Sequence, residues 1–501
     1  MDGETERAAA NASGARDSFG RMTSDEFRRL GHELIDFIAD YRLRTERGEF
    51  PVMAQVQPGA LRARLPAAPP QRAESGDALL HDLEQLILPA CSHWQDPRFF
   101  GYFPSNSLPA AVLGDLASTG LAQLGLNWQA SPALTELEEV TTDWLRQMLG
   151  LSDAWRGVIQ DTASTASFVA LVSARERATQ YGATRGGLQA AAASLVVYVS
   201  SQSHSSVAKA AMLAGFGRTQ LREVPVDEAF AMRADALALM LAEDRAAGRV
   251  PCAIVATCGT TATTALDPID ALAALAEQYD AWLHVDAALA GSAMILPECR
   301  GLWQGVERAD SLVVNPHKWL GVAFDCSVYY VRDPKHLVRV MSSNPSYLQT
   351  AADGAAPNYR DWGVPLGRRM RSLKLWFVIR EQGVEGLQGR IRRDLAYAQW
   401  FAAAVDRARD WRRLAPVPLQ TVCVRHEPPA LTGAQLDAHT LAWVGRINTS
   451  GQAWLTPAQI DGKWMVRVSF GTHTTTQQHV EQLWALMRRE ALADIPGGGG
   501  S

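Results

Sequence analysis

The chain has 501 residues, a formal net charge of −5 and 47% hydrophobic residues, which is typical of a large globular protein with more than one domain. This slightly acidic balance excludes a basic nucleic-acid surface and a polybasic membrane patch. No apolar stretch predicts a membrane span. The six scattered cysteines contain no Cys-x-x-Cys pair, so we expect reduced thiols, no metal site and a cytoplasmic location.

The N-terminal part of the chain predicts a helical arm. Residues 1–22 are rich in Ala, Ser, Gly and charge, are not the pattern of a signal peptide, and are expected to be disordered. Ser24 is the predicted N-cap of a helix with an acidic first turn, and a proline-rich connector follows over residues 51–70. An amphipathic helix on such a connector needs another surface to cover its apolar face. We therefore predict that residues 23–97 pack on a partner subunit.

A predicted helix from Ser131 to Gly150 precedes a region, about 155–335, where apolar runs alternate with helical stretches. The predicted strands are 194–199, 252–256, 281–285, 311–314 and 326–331. Continuous apolar strands between helices predict an α/β fold whose mostly parallel sheet is buried on both faces. In such sheets ligands bind beyond the carboxyl ends of the strands, where Thr260, Asp286 and Lys318 lie.

The rest of the chain predicts a lid and a second, smaller domain. The Ser-, Gly- and Ala-rich stretch between Met341 and Leu366 is long enough to predict a lid or a disordered loop. A long helix is predicted from Arg368 to Gln382, followed by an α/β region to about residue 490. The predicted domains are a large one over 98–373 and a small one over 374–490, before a tail, 491–501, that resembles a linker scar.

Lys318 stands out because only five of the 48 basic residues are lysines, at positions 209, 318, 335, 374 and 463. Arginine cannot lose its proton in a protein, so it cannot act as an amine nucleophile. Lysine can do so once an apolar setting lowers its pKa, and Lys318 is flanked by apolar runs on both sides. The alternative interpretation is a lysine that snorkels from a strand end.

The motif His284-Val-Asp286-Ala-Ala288 ends a predicted strand, and a carboxylate at that position needs a cationic partner. His284 and Asp286 could be two metal ligands, but no third ligand has suggestive spacing. Asp286 could also be a structural surface residue. The favoured interpretation is that Asp286 pairs with a cofactor ring nitrogen, because a carboxylate of this kind and a Schiff-base lysine form the minimal pyridoxal 5'-phosphate (PLP) site.

Two further patterns suit this cofactor. The small and hydroxyl residues after Gly157 lead into a helix whose first N–H groups could hold a phosphate, although such runs commonly only cap helices. His204 lies between a predicted strand and a helix. It is either a capping or surface histidine, or an imidazole stacked on the cofactor ring.

Taken together, the motifs resemble those of the group II PLP-dependent decarboxylases, and more closely the aromatic-L-amino-acid decarboxylases. The similarity runs from about Met22 to about residue 490 and includes the segments 99–104, 131–138, 157–160, 256–261, 284–288, 315–320, 365–369 and 371–376. It implies a fold-type I enzyme with an N-terminal helical arm and a small C-terminal domain. It also implies a homodimer with shared active sites and an amino-acid substrate.

The resemblance implies a role for each matched residue. Lys318 would bind the cofactor aldehyde, Asp286 would pair with the pyridine nitrogen, His204 would stack on the ring, and Tyr347 would return a proton to the substrate Cα. The other implied cofactor residues are Ala163, Ser164, Thr261, Ala288, Asn315 and His317, with Leu366 and Gly367 contributed by the neighbouring subunit. The implied substrate residues are Trp94, Tyr102, Phe103, Pro104 and Ser105, with Leu126 reaching over from the partner chain.

Four positions depart from the family pattern. Asp161 and Thr165 stand where relatives commonly have Gly and Glu, and an Asp beside a phosphate site is unfavourable unless it points away. Leu126 and Asn127 stand where animal relatives have Phe and Ser, so one wall of the substrate site is altered. The sequence therefore predicts the reaction more firmly than the choice of substrate.

We predict decarboxylation of aromatic L-amino acids, with tryptophan, phenylalanine, tyrosine and dopa as the candidates. One alternative is an oxidative decarboxylase-deaminase that makes aldehydes, a subgroup in which the loop tyrosine is typically Phe. Another is a decarboxylase of a non-aromatic amino acid. The non-enzyme alternative is a PLP-free scaffold of the same fold, which would not need Lys318, Asp286 and His204 together.

Overall fold

A computed structural model describes residues 22–188, 193–343 and 346–493. The predicted disordered segment, except Met22, and the predicted tail beyond Ala493 lie outside the described residues. So do Asn344 and Pro345, which belong to the motif around Tyr347. Within the described parts of the chain, no helix is both long enough and apolar enough to cross a membrane.

The chain divides into two compact units, Met1–Phe99 with Gly445–Trp454, and Phe100–Val444 with Leu455–Ser501. The helices of the first unit that precede Phe99 are α1 (Ser24–Glu46), α2 (Ala60–Arg64) and α3 (Gly76–Asp82). The predicted first helix is present, but its N-cap is Thr23, whose hydroxyl accepts a hydrogen bond from the Glu26 N–H at 3.1 Å. The predicted arm, large domain and small domain remain predictions.

The second unit contains the predicted α/β pattern. Its helices are α4 (Pro109–Leu121), α5 (Pro132–Leu149), α6 (Ala163–Ala178), α7 (Gly182–Gly186), α8 (Ser205–Leu213), α9 (Ala234–Ala246), α10 (Ile269–Tyr279), α11 (Pro334–Met341), α12 (Ser372–Arg407) and α14 (Gln477–Leu492), and α13 (Ala434–Ser450) spans the division. The predicted end of α5 is confirmed, because Gly150 closes it with a φ of 73°.

Seven strands form the larger sheet: β1 (Arg156–Gln160), β2 (Leu195–Ser200), β3 (Leu221–Val224), β4 (Val250–Thr257), β5 (Trp282–Asp286), β6 (Ser311–Val314) and β7 (Ser327–Val331). Their spatial order is β1-β7-β6-β5-β4-β2-β3. Strand β7 runs in the opposite direction to the other six, which are all parallel to one another. The predicted mostly parallel α/β sheet is therefore confirmed. Most of its strand residues are buried, as continuous apolar strands require.

A second, antiparallel sheet has the order β10-β11-β9-β8, with β8 at Trp411–Arg413, β9 at Thr421–His426, β10 at Thr456–Ile460 and β11 at Lys463–Ser469. In β11 the side chains from Met465 to Ser469 are all buried. A strand buried on both faces does not show the alternation of polar and apolar residues that marks a surface strand.

The helix predicted from Arg368 to Gln382 differs from the observed one. It begins at Ser372 and runs to Arg407, with a break at Gly383, where φ is 62° and ψ is 170°. Arg368 stays outside the helix because its main chain exchanges two hydrogen bonds with Gly125, at 2.9 and 3.1 Å. Its guanidinium forms a buried ion pair with Glu138, with N–O distances of 2.7 and 3.0 Å, which fixes the side chain away from the helix that follows.

Candidate active site

Lys318 lies in the turn after β6, next to the carboxyl end of the sheet. The turn is held by main-chain bonds, with the Lys318 N–H donating to Asn315 O at 3.0 Å. The Cys326 N–H donates to His317 Nδ1 at 2.9 Å, and burial lowers the pKa of His317 to about 3. His317 is therefore neutral, and in this turn its ring accepts a structural hydrogen bond.

The Lys318 amine is shifted toward its neutral form. Burial lowers its pKa below the usual lysine range, the Asp286 carboxylate opposes that shift, and the Arg467 guanidinium adds to it. Its Nζ lies 5.4 Å from the centroid of the Phe103 ring. A partly buried amine with a lowered pKa is what a nucleophilic lysine requires.

Asp286 ends β5 and is 5% exposed. Its Oδ1 accepts the Ala288 N–H at 3.1 Å, and within the described residues its carboxylate forms no ion pair. The charge of Asp286 nevertheless raises the pKa of both Lys318 and His204, so the structure brings these three predicted residues together. A buried carboxylate of this kind suits a cationic ring nitrogen.

His204 has the capping role that was one of its two predicted alternatives, and stacking on a cofactor ring stays a prediction. It is the N-cap of α8, and its Nδ1 accepts the Ser206 N–H at 3.2 Å. Burial lowers its pKa, while the charge of Asp286 raises it and that of Lys318 lowers it. The imidazole thus caps a helix and also belongs to the charge cluster around Lys318.

His284, which with Asp286 forms the possible pair of metal ligands, contacts two serine hydroxyls instead. It is fully buried, and its two ring nitrogens lie 2.9 Å from Ser311 Oγ and 3.4 Å from Ser167 Oγ. Burial lowers its pKa to about 4. Among the described residues, no three His, Cys, Asp or Glu side chains cluster as metal ligands.

The predicted phosphate site is the N-terminus of α6, which begins at Ala163 and Ser164 directly after β1. The N-cap, Thr162, makes no side-chain bond to the helix, so the first N–H groups can face a ligand. Asn315 is buried, and its Oδ1 accepts from Ser327 Oγ at 2.6 Å, which leaves its amide N–H groups as donors. Ala288 and Ala163 share one buried apolar cluster.

The unusual Asp161 lies beside this helix N-terminus and lines the same cavity as Ser164. Its Oδ1 accepts the Thr162 N–H at 2.6 Å, and its charge helps to raise the pKa of Arg371. The same α6 N-terminus borders a cavity of about 560 Å³ lined in part by Ser164, Lys209, Gly367 and Arg371. Gly367 is therefore close to Ser164 within one chain, and the adjacent Leu366 is 48% exposed.

The predicted substrate residues of the second unit occupy the segment after Phe100. Tyr102 has a φ of 50°, and its N–H donates to Thr456 Oγ1 at 2.7 Å. Pro104 packs so closely on Gly471 that a Cβ there would lie 2.3 Å from Pro104 Cγ. Ser105 is half-buried.

Three predicted residues are less directly linked to Lys318. Trp94 belongs to the first unit, where it stacks on Phe99 with ring centroids 4.6 Å apart. Leu126 is half-buried, and its carbonyl accepts from Arg360 at 3.4 Å. Tyr347 lies in a 3₁₀ turn, Ser346–Leu348. Their roles, like those of the other site residues, remain predictions.

Arg467 on β11 is a site residue that the sequence interpretation missed. It is 3% exposed, its Cζ lies 4.8 Å from the Phe103 ring centroid, and its charge acts on Lys318. Its Nε donates to Ala262 O at 2.9 Å, next to the predicted cofactor residue Thr261, while Nη2 has no partner among the described residues. The only sequence signal for Arg467 was its place between two valines, Val466 and Val468, a pattern that also suits an arginine in a structural ion pair.

The family model described as the pyridoxal-dependent decarboxylase conserved domain matches residues 58–427. An aromatic-L-amino-acid decarboxylase of Sus scrofa is 40% identical over 483 residues, covering 93% of this chain and 96% of that protein. A phenylacetaldehyde synthase of Arabidopsis thaliana is 38% identical, covering 94% of this chain and 96% of that protein. The crystal structure of the Oryza sativa enzyme TDC with PLP and tryptamine has a TM-score of 0.91 and 36% identity, covering 94% of this chain and 98% of that one.

Proposed function

The chain belongs to the pyridoxal-dependent decarboxylase family, and we propose that it converts aromatic L-amino acids into arylalkylamines and carbon dioxide. It is a PLP-dependent carboxy-lyase. The observation that best supports the proposal is the charge cluster at the end of β5 and β6, where Asp286 acts on both Lys318 and His204. The aromatic substrate class is supported by relatives of about 40% identity that are named for such substrates.

The residues of this chain fit the cofactor. Asp286 is a buried carboxylate whose Oδ1 accepts a main-chain N–H, so its charge is available to a protonated ring nitrogen. Ser164 and the first N–H groups of α6 would hold the phosphate, and His204 would lie against the ring. When bound, PLP accepts the electron pair that is released as the bond between Cα and the carboxylate breaks.

The remaining residues would orient the substrate and control protons. Lys318 would release the cofactor to the incoming amino group and take it back when the product leaves, which its lowered pKa favours. Arg467 has an unpaired, buried Nη2 suited to a substrate carboxylate oxygen, and Phe103 beside it offers an apolar face. Tyr347 would deliver a proton to Cα after carbon dioxide leaves.

A product assay tests the substrate class. The purified protein, saturated with PLP, is given tryptophan, phenylalanine, tyrosine, dopa and glutamate in parallel, and the amine, aldehyde and carbon dioxide are measured. We expect amines from one or more of the four aromatic substrates and none from glutamate. Arg467 would be taken up by the α-carboxylate, and Phe103 beside it offers an apolar face to an aromatic ring and no cation to a second carboxylate. Turnover of glutamate without any aromatic turnover would overturn the proposed class.

Tyr347→Phe is expected to change the product from amine to aldehyde. Without its hydroxyl the residue cannot donate a proton to Cα, so the electron-rich carbon is left to react with oxygen. The measurement is the ratio of aldehyde and hydrogen peroxide to amine, with Tyr181→Phe as a control tyrosine that contacts His336 instead. A Tyr347→Phe enzyme that still makes only amine would remove Tyr347 from the proton-donor role.

We also infer a homodimer with shared active sites. Ten large apolar side chains of the second unit are 48–67% exposed, an unusual amount for a surface in contact with water only, and we assign eight of them to the interface. The eight are Leu113, Leu116, Leu121, Leu124, Leu213, Phe324, Val364 and Leu366. Three of them lie on α4, and Val364 and Leu366 precede Gly367 in the chain, so a second copy that covers them would also approach the cofactor site.

Replacing Leu116 and Leu121 together with arginine is expected to convert the dimer into monomers and to lower activity strongly, because two charges would have to be buried in an apolar interface. Sedimentation should give about twice the 54.5 kDa chain mass for the wild type and the chain mass for the variant. Leu239→Arg is the matched control, since Leu239 is 67% exposed on α9. A wild-type protein that is monomeric and fully active would rule out the shared site.

We further propose a cytoplasmic location. All six cysteines are free thiols, and five of them are buried. Proteins with this pattern are typical of reducing compartments. Fractionation of cells that express the native protein should place its activity with cytoplasmic markers, and recovery with an oxidising compartment would contradict this.

A further inference from the structure

Asn106 forms a buried polar junction among three segments of the site. It is 1% exposed and follows directly after the predicted substrate segment 102–105. Its side-chain Nδ2 donates to Gly471 O at 2.5 Å, and its Oδ1 accepts the His473 N–H at 3.0 Å. Its own main-chain N–H donates to Lys318 O at 3.4 Å.

Each of these segments carries a group that the proposed reaction needs. Phe103 belongs to the segment that ends at Asn106, Lys318 is the nucleophilic lysine, and Gly471 and His473 continue the chain from β11, which carries Arg467. The Phe103 ring is 5.4 Å from Lys318 Nζ and 4.8 Å from Arg467 Cζ. Asn106 therefore connects the backbone of the ring to the backbones of both cations, through its side-chain amide toward Arg467 and through its main-chain N–H toward Lys318.

We propose that Asn106 is a positioning residue that sets the spacing of Phe103, Lys318 and Arg467 for substrate binding. This inference rests on the proposed function and deepens it. Asn106 acts through the three segments that it joins. It lies outside the residues that the sequence singled out.

The chemistry of the asparagine side chain explains why this residue type suits the junction. A primary amide offers a donor and an acceptor in one plane at every pH, which is what the Gly471 carbonyl and the His473 N–H require. Both main-chain groups face a buried side chain, where an unpaired polar atom is costly, so they hold the amide in one orientation. A shift of about 1 Å between reacting groups can lower the rate about 100-fold, so a rigid junction matters for catalysis.

Asn106→Asp provides a specific test, because protonation restores the missing donor. As a carboxylate, the new side chain can still accept from the His473 N–H but cannot donate to Gly471 O. Burial raises the pKa of such a carboxyl, and the protonated form, populated as pH falls through that pKa, has the donor and acceptor pattern of asparagine. Asn106→Ala lacks both groups at every pH.

The measurements are kcat and KM of the PLP-loaded enzyme on an aromatic substrate across pH, together with the visible absorption of bound cofactor. We expect both variants to lower kcat/KM about 100-fold at pH 8, relative to wild type. As pH falls, the ratio to wild type should recover for Asn106→Asp and stay low for Asn106→Ala. The control is Gln388→Ala, which removes an amide-to-carbonyl bond of 2.8 Å to Ile295 O outside the site and should leave kcat/KM unchanged.

Two results would overturn the proposal: kcat/KM close to the wild-type value in both Asn106 variants, or an equal loss in both that does not depend on pH. The second would mean that Asn106 contributes packing or stability only. If Asn106→Ala does not fold, Asn106→Asp still gives the pH comparison. A wild-type protein without decarboxylase activity would instead contradict the proposed function. In that case the visible absorption of the bound cofactor would still show whether the Asn106 variants alter the site.

Discussion

Lys318→Arg is expected to abolish decarboxylation, with a loss of at least about 10⁴-fold, as for other covalent nucleophiles. Arginine keeps the positive charge and much of the length, but its guanidinium does not lose its proton and cannot attack the cofactor aldehyde. The buried setting that lowers the pKa of Lys318 makes its amine available. Turnover with each aromatic substrate gives the loss.

The control for this variant is Lys335→Arg, because Lys335 is exposed on α11, away from the predicted site. It should retain full activity. Borohydride reduction of the wild-type protein followed by peptide mapping should place the pyridoxyl group on Lys318. Recovery of the label on Lys209, Lys335, Lys374 or Lys463 instead would refute the assignment.

Asp286→Asn is expected to weaken cofactor retention and to lower kcat by about 10²–10³-fold, as for the loss of a preorganised charge partner. The substitution keeps the shape of the side chain and can still accept the Ala288 N–H at 3.1 Å. It removes the negative charge that would keep the ring nitrogen protonated. It also removes the charge that raises the pKa of Lys318 and His204, so both should titrate at lower pH.

The control here is Asp310→Asn, which changes a carboxylate of the same sheet that accepts the Leu283 N–H at 2.8 Å and pairs with Arg177. That variant should lose stability but retain cofactor. The measurements are bound PLP after dialysis and kcat at saturating PLP. A nearly normal rate for Asp286→Asn under saturation would show that the ring nitrogen does not depend on this residue.

The sequence and the structure agree most closely where the signal is local. The five predicted strands correspond to β2, β4, β5, β6 and β7, with ends that differ by a residue or two. A buried strand is recognisable from a short apolar run, and a helix end from a glycine such as Gly150. At Arg368 the decisive bonds come from Gly125 and Glu138, far away in sequence, whereas at Thr23 two neighbouring hydroxyl residues could both cap the helix.

By itself, the sequence determined the mostly parallel α/β fold, five of the seven strands of its larger sheet, the family, and the candidate roles of Lys318, Asp286 and His204. It could do so because apolar periodicity and short motifs are properties of neighbouring residues. Only the tertiary structure decided that Arg467 lies beside Lys318, that Arg368 pairs with Glu138 instead of starting a helix, and that Asn106 joins three segments. Each of these depends on chain segments far apart in sequence. Their distances are set by the packing of the whole unit, so no local pattern records them.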